Sequence, residues 1–561
     1  MSDSIPSQLR FPAIAGFSVR ADFDGGAMSS DFGALLLRGT DQQIGLIARL
    51  SSAIRDMRHP SYIEHPMADL LSQRIFQTAC GYIDGNDANN LRGDPMFKLA
   101  VGRAPLPEGT DLASGPTFSR LENGVSRKDV YRLAKAFVEA FIASYALPPS
   151  LIVLDMDHSE DATHGQQELA FYNHHYGSYC YLPLFIFEGI SGKLVTAVLR
   201  PGKRPTGKEN AAIMKRVLRL LREAWPQTHV ILRGDGHFSN PELMALRDSD
   251  PHLDFIFGLA GNKALSPKAE PLLEQARALH RERCANAHRN KETVPAATRL
   301  YEDVEYRAGS WPKAYRVVLK AEVMTLGDNP RFVVTSLTDP TPELLYKDLY
   351  CARGQDENFI KAVKNDLASD RTSDHTFLAN HLRLFYSCAA YVLIHSLRDN
   401  TLVHTELACA QPMTIILKLF KLAVRVVQYK DRIKLSLPSA CPVKGAAGAC
   451  HGNPLPRAAT AYLCLSRRTD LLRISHNPPK RRGAARPKSA TTAPLTPILL
   501  PRGRKFGSQV LPSPPNPAFS VALRPQKITV GFDWRVYERF GLILLVTALV
   551  HKSALFAHGP A

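Results

Sequence analysis

No CxxC pair occurs among the nine cysteines, at positions 80, 180, 284, 351, 388, 409, 441, 450 and 464, and their spacing shows no disulfide-like rhythm. That excludes a disulfide scaffold and suits free thiols in a reducing compartment. Cys441, Cys450, His451 and Cys464 match no common zinc knuckle in their spacing. The first residues, Met1-Ser-Asp-Ser-Ile-Pro6, have neither the basic nor the apolar region of an export signal. Near the other end Phe540 to Val550 is apolar but short of the roughly 20 residues a membrane helix needs, and reads as a buried or sticky segment. Acids are scarce in one region. Between Val443 and Phe532 stand 15 Lys and Arg against one acid, Asp470, so 14 of the formal net charge of +18 lie in one proline-rich stretch. The whole chain asks for a polyanionic partner, nucleic acid being the usual one, while the rest is only mildly basic and must bind through local patches.

What is present is globular composition, 45% hydrophobic over 561 residues, enough for about two or three domains. Residues 1 to about 145 carry apolar residues at helical spacing, in Gln42 to Met57, Met67 to Tyr82 and Asp129 to Tyr145. Within this region Leu112 to Asn123 has Ser and Thr ahead of a helical run, an N-cap signal. Such a helix start can hold a DNA phosphate, and Arg120 is its candidate contact. From Leu151 the texture changes to strands: Leu151 to Asp157, Tyr179 to Phe187, Leu194 to Leu199, His229 to Asp235 and Asp254 to Leu259, with a helix over Ala211 to Ala224. The expectation is an α/β fold, a mixed sheet with flanking helices. A charged helix, Ala269 to His288, and strand-like pieces to Val323 read as an insertion before Arg331 to Ser336 resumes the sheet. A packing helix follows from about Thr376 to Arg398, and then a hairpin around Tyr429-Lys430-Asp431.

Two strands end in acids. Asp155 and Asp157, two apart on one strand, point to the same face, and Asp235 closes a second strand that, as a neighbour about 4.8 Å away, reaches a shared ion. A third acid lies on Tyr350-Cys-Ala-Arg353-Gly-Gln-Asp-Glu357-Asn-Phe-Ile-Lys361-Ala-Val-Lys364. At helical pitch Tyr350, Arg353, Glu357, Lys361 and Lys364 share one stripe, beside an apolar face of Phe359, Ile360, Val363 and Leu367. Carboxylates converging from two strands and a helix suit a pair of hard divalent cations and in-line phosphoryl transfer.

Tyr350, Arg353, Glu357 and Lys364 meet every spacing of the Y-(2)-R-(3)-E-(6)-K signature of insertion-sequence DDE transposases. The chain resembles the thirteen-eighty family of that group in Leu154-Asp-Met-Asp-His-Ser-Glu-Asp161, His164-Gly-Gln166, Tyr181-Leu-Pro-Leu184, Leu199-Arg-Pro-Gly202, Arg233-Gly-Asp-Gly-His-Phe238, Phe23-Asp-Gly-Gly26 and Gly81-Tyr-Ile-Asp84. The resemblance covers about residues 20 to 440. It implies an RNase H-like mixed sheet and two Mg²⁺ or Mn²⁺ ions. It also implies Mg-dependent cleavage and strand transfer of double-stranded DNA, at terminal inverted repeats and a target, by a dimer bound to the cytoplasmic nucleoid. Under it the second acid is Asp235 and the third Glu357. The first is Asp157, with Ser159 two positions on, or Asp155 on the same face. Arg353, Lys361 and Lys364 would steer DNA phosphates with Tyr350 beside them, and His164, Gln166 and Arg233 are further candidates. The expected organisation is a helical N-terminal domain over 1–148 that binds DNA ends; a catalytic core over 149–262 and 331–440 split by an insertion at 263–330; and an atypical tail over 441–561, disordered or out-of-frame. A catalytically inactive DNA-binding relic and a general RNase H-like nuclease are the alternatives.

Overall fold

The computed structural model describes residues 8–106 and 109–450. The tail from 451 on, with His451, Cys464 and the apolar stretch at 540–550, lies outside the described residues, as do 1–7 and 107–108. At the centre is one mixed sheet. Its strands are β1 (Leu151–His158), β2 (Leu184–Glu188), β3 (Leu194–Val198), β4 (His229–Gly234), β5 (Leu253–Leu259), β6 (Ala297–Tyr306), β7 (Tyr315–Met324) and β8 (Arg331–Thr335), with a two-residue piece, Gly327–Asp328, on β7. They lie in the order β6-β7-β8-β5-β4-β1-β2-β3. β1, β4 and β5 run parallel, and every other pair is antiparallel. The stretch expected to be an insertion thus supplies the helix α4 (Ser266–Asn290) together with β6 and β7, which lengthen the same sheet.

β1 through Leu154 and β4 over Val230 to Leu232 are continuously apolar because both their faces are covered. On one side α3 (Gly207–Ala224), started by a Thr206–Glu209 capping box, sets Met214 and Leu221 against Leu154, Met156 and Leu232. On the other, Val153 and Ile231 meet Leu345 and Tyr346. Further along this second face Phe185 and Phe187 pack with the long helix α6 (Phe377–Asn400). α6 is long and apolar enough to cross a membrane by composition, but 78% of that window is buried, as in a core helix.

The helices α1 (Met67–Ala79) and α2 (Arg127–Ala143) share one hydrophobic core with α6. Arg383 on α6 ties back to Glu122 with Nε 2.8 Å from its carboxylate. The strand Val424–Gln428 lies between Ile433–Ser436 and Met28–Ser29, so the two ends of the described chain are joined in one small sheet. Val443 and Ala446, beside and on a short helix at Lys444–Ala449, are buried in the same core. Packing therefore continues past Pro442, where the sequence suggested that it stops: valine and alanine within a loop-like composition are small enough to fill a surface hollow.

Candidate active site

Along the neighbouring strands β1 and β4, three pairs of residues on one face change in character toward the strand ends. Val153 pairs with Ile231, and both are apolar and covered. Asp155 pairs with Arg233, and both are buried. The ladder ends at Met156 and Gly234, so Asp157 and Asp235 follow side by side where the sheet opens to solvent. Since alternate residues share a face, all six side chains point toward the segment Leu345–Asp366.

Asp155 is fully committed to Arg233. The guanidinium meets it bidentately, Nε at 2.5 Å from Oδ1 and Nη2 at 2.7 Å from Oδ2, and its Nη1 donates to the Leu349 carbonyl. Gly189 closes the pair from above, since a Cβ there would stand 2.1 Å from Asp155 Oδ2. Burial pushes the Asp155 carboxyl up against the pull of Arg233. Asp157 is different. Its side chain is 20% exposed, and Oδ2 lies 3.0 Å from Arg353 Nη1. Burial raises its pKa to about 6, Arg353 opposing and Asp235 adding to the rise. Asp235 is also pushed upward by burial, but His237 reverses the sign: Nδ1 stands 3.1 Å from Oδ2 and its backbone N–H donates to Oδ1, so the carboxyl sits below the usual range. The same bond raises the His237 imidazole.

The segment carrying Glu357 is helical but not of one pitch. It runs as a π-helix over Leu345–Tyr350, a 3₁₀ turn over Cys351–Arg353, α5 (Gly354–Lys361) and a second π-helix over Ala362–Asp366. Wide and tight turns break up the expected stripe. Arg353 points inward. Lys364 is half-buried, its Nζ donating to the carbonyl of Glu160, just beyond β1. Glu357, 53% exposed, faces solvent with Oε1 4.0 Å from Arg353 Nη2, and Lys361 is exposed. The Tyr350 hydroxyl packs against β5, where a Cβ on Gly258 would come within 2.6 Å of it. Arg120 lies exposed on the helix Gly115–Gly124 and bonds only Thr117, away from the acids. The first amide of that helix already donates to Asn89. His164 and Gln166 are exposed.

Arg353 therefore bridges Asp157 to Glu357, and the charges of Asp157, Asp235 and Glu357 all hold its proton more firmly, against burial. Among the described residues no group of three His, Cys, Asp or Glu side chains gathers closely enough to hold a metal ion. The chemistry still fits a hard divalent cation: the available donors are carboxylate oxygens, and one positive charge already stands among them. Sequence reasoning overlooked Asp356. Its carboxyl is fully buried with neither oxygen hydrogen-bonded, and burial beside Asp155 and Asp157 pushes it well above the carboxylate range. Ordinary helical spacing marks it: Asp356 stands three and four residues before Phe359 and Ile360, on the apolar face that docks on the core. His237 was findable from its place two residues after Asp235, where a side chain folds back on an Asx turn.

Residues 11–453 match the family model described as Transposase DDE domain group 1. No curated protein matches the chain. Among solved structures, the cryo-EM structure of the piggyBac transposase synaptic complex with hairpin DNA is similar over 80% of this chain and 86% of that one, at 11% identity and a TM-score of 0.35.

Proposed function

The chain belongs to the transposase DDE domain group 1 family, and from that premise we propose that it is an insertion-sequence transposase that cuts DNA at terminal inverted repeats and joins the freed ends to a target. Asp157, Asp235 and Glu357 are its three acids. The observation that carries this reading is that Asp157 and Asp235 stand side by side at the open end of two parallel strands, with Arg353 linking Asp157 to Glu357. The RNase H-like assignment is supported by the order β3-β2-β1-β4-β5, in which three antiparallel strands precede two parallel ones.

Asp157 takes the role of first acid in preference to Asp155. Freeing Asp155 for any other ligand would strand a buried guanidinium, a cost of about 3–5 kcal/mol. The carboxylates of Asp157, Asp235 and Glu357 would hold Mg²⁺ or Mn²⁺, two ions in the full site, which supply an activated oxygen nucleophile and charge neutralisation at the phosphate when bound. Around that chemistry each side chain has its own task. His237 keeps Asp235 ionised and fixes its rotamer. Arg353 balances the acids in the absence of DNA, and its planar fork suits a phosphate once it swings free. Lys361 meets the backbone from the exposed side of α5, and Lys364 braces the segment on Glu160. Synapsis of paired ends calls for a dimer, working in the cytoplasm on nucleoid DNA.

The test is incubation of the protein with labelled element ends and Mg²⁺. End-specific cleavage lost in both Asp235→Asn and Glu357→Gln is expected. Cleavage that survives either change removes that acid from the mechanism. Cleavage without preference for inverted repeats makes the protein a general nuclease, and a gel shift without nicking makes it an inactive relic.

A further inference from the structure

A hairpin overhangs the acids and is not used by the mechanism above. Its strands, Phe171–Asn173 and Ser178–Tyr181, place Tyr172 directly opposite Tyr179, and its tip is His174-His175-Tyr176-Gly177. Tyr172, Tyr176 and Tyr179 are 47%, 38% and 60% exposed, an unusual concentration of aromatic surface in water. Tyr172 and Tyr179 meet edge to face at 5.5 Å, and Tyr172 meets the His174 ring in the same way at 5.1 Å. The tip leans on the site: the His175 ring lies 6.5 Å from His237, the partner of Asp235. Burial, then the charges of Asp157 and Glu160, raise the Tyr176 phenol.

The hairpin is tied to its surroundings at both ends. Asn173 Nδ2 donates to the carbonyl of Gly202 at 3.0 Å, and a Cβ on Gly202 would meet the Cys180 carbonyl at 2.1 Å. Ser178 bonds the carboxylate of Glu160, the residue whose carbonyl Lys364 also holds. Beside it lie two exposed cations, Lys203, whose Nζ sits 4.2 Å over the Phe171 ring, and Arg204. A fixed platform of exposed rings, flanked by positive charge and set against carboxylates that act on phosphodiesters, has the makings of a nucleobase-stacking site. Stacking accepts any base, because every base has a π-face, while the cations meet the backbone.

We propose that this hairpin stacks unpaired nucleobases of the DNA strand next to the bond being cut, an inference that rests on the transposase reading. The test uses the full chain and two probes, a blunt fluorescein-labelled duplex and the same duplex with an oligothymidine flap containing 2-aminopurine. The wild type should prefer the flap and quench the 2-aminopurine. Tyr172→Ser with Tyr179→Ser, and Tyr176→Ala alone, should each weaken flap binding about 5- to 100-fold, with blunt-duplex affinity unchanged. Tyr179→Trp should keep the preference. Equal losses on both probes, or a flap preference that survives the tyrosine changes, would overturn the proposal. So would light scattering in which the variants dissociate a dimer with flap preference intact, since the hairpin would then face a second copy. End cleavage by the same wild-type preparation separates the two levels: cleavage without flap preference defeats the hairpin alone, whereas a protein that binds neither probe and cuts nothing defeats both.

Discussion

Replacing Asp157 by asparagine should stabilise the protein, and should do so only where the acid is ionised. In the folded chain burial holds the Asp157 proton to about pH 6, from an ordinary 3.8. The sign follows from which state binds the proton more tightly. Below about pH 3.8 both folded and unfolded chains carry it and nothing is lost. As the pH rises from there to about 6, the unfolded chain releases the proton first, and folding is penalised by ~1.36 kcal/mol per pH unit. Above about pH 6 both states are ionised and the penalty levels off near 3 kcal/mol, from a difference of roughly 2.2 pH units times ~1.36. Asparagine cannot ionise, so the variant escapes the whole amount. At about 1–2 °C per kcal/mol for a chain of this size, the variant should melt roughly 3–6 °C above the wild type near pH 7.5. Near pH 4 the two should agree within about 1 °C. Thermal melts in metal-free buffer measure it, and added Mg²⁺ should raise the wild type alone, because only the carboxylate gains a cation. A difference that does not change with pH, or a variant less stable near neutrality, would refute the reasoning. Asp157 would then be an ordinary ion-pair partner of Arg353.

Other consequences follow from the neighbouring contacts. Asp155→Ala leaves Arg233 buried without its partner and should cost about 3–5 kcal/mol in denaturant unfolding, whereas a ligand-only role for Asp155 predicts little change. Arg353→Ala should tighten Mn²⁺ binding about ten- to a hundredfold by calorimetry, the equivalent of the ~1.5–3 kcal/mol of a charge-assisted hydrogen bond that the cation no longer has to displace. An unchanged affinity would mean that Arg353 stands outside the cation's place. Gly258→Ala drives a methyl into the Tyr350 hydroxyl and should destabilise by about 1–3 kcal/mol, with part of the loss recovered in the double variant with Tyr350→Phe. No recovery would place the strain on the backbone of Gly236.

The parts legible in the sequence were those governed by short-range pattern. Leu151 to Asp157 and His229 to Asp235 read as strands because covered strands are continuously apolar, and period-two geometry put Asp155 and Asp157 on one face. The same geometry could not separate them. What does so is the partner across the ladder, Arg233 against Asp155 and the open end of the strand against Asp157, and cross-strand register is a long-range property. The stripe from Tyr350 to Lys364 assumed one pitch throughout. Two π-helices and a 3₁₀ turn interrupt it, a change that no helical periodicity encodes, whereas Asp356 was legible from its helical spacing to Phe359 and Ile360. Tyr179 to Phe187, read as one strand, is divided: Pro183 lies between a piece in the small hairpin sheet and a piece in the main sheet. The common core of α1, α2 and α6 was likewise hidden, since each helix shows an apolar face without naming what covers it.

Arg425 pairs with Met28 across about 400 residues of chain. A ribosome adding about 5–20 residues each second takes roughly 20–80 s to deliver the second strand after the first. Until then the helices at the start of the chain have no α6 to close their core. A transcript broken before that strand leaves a product without a finished fold.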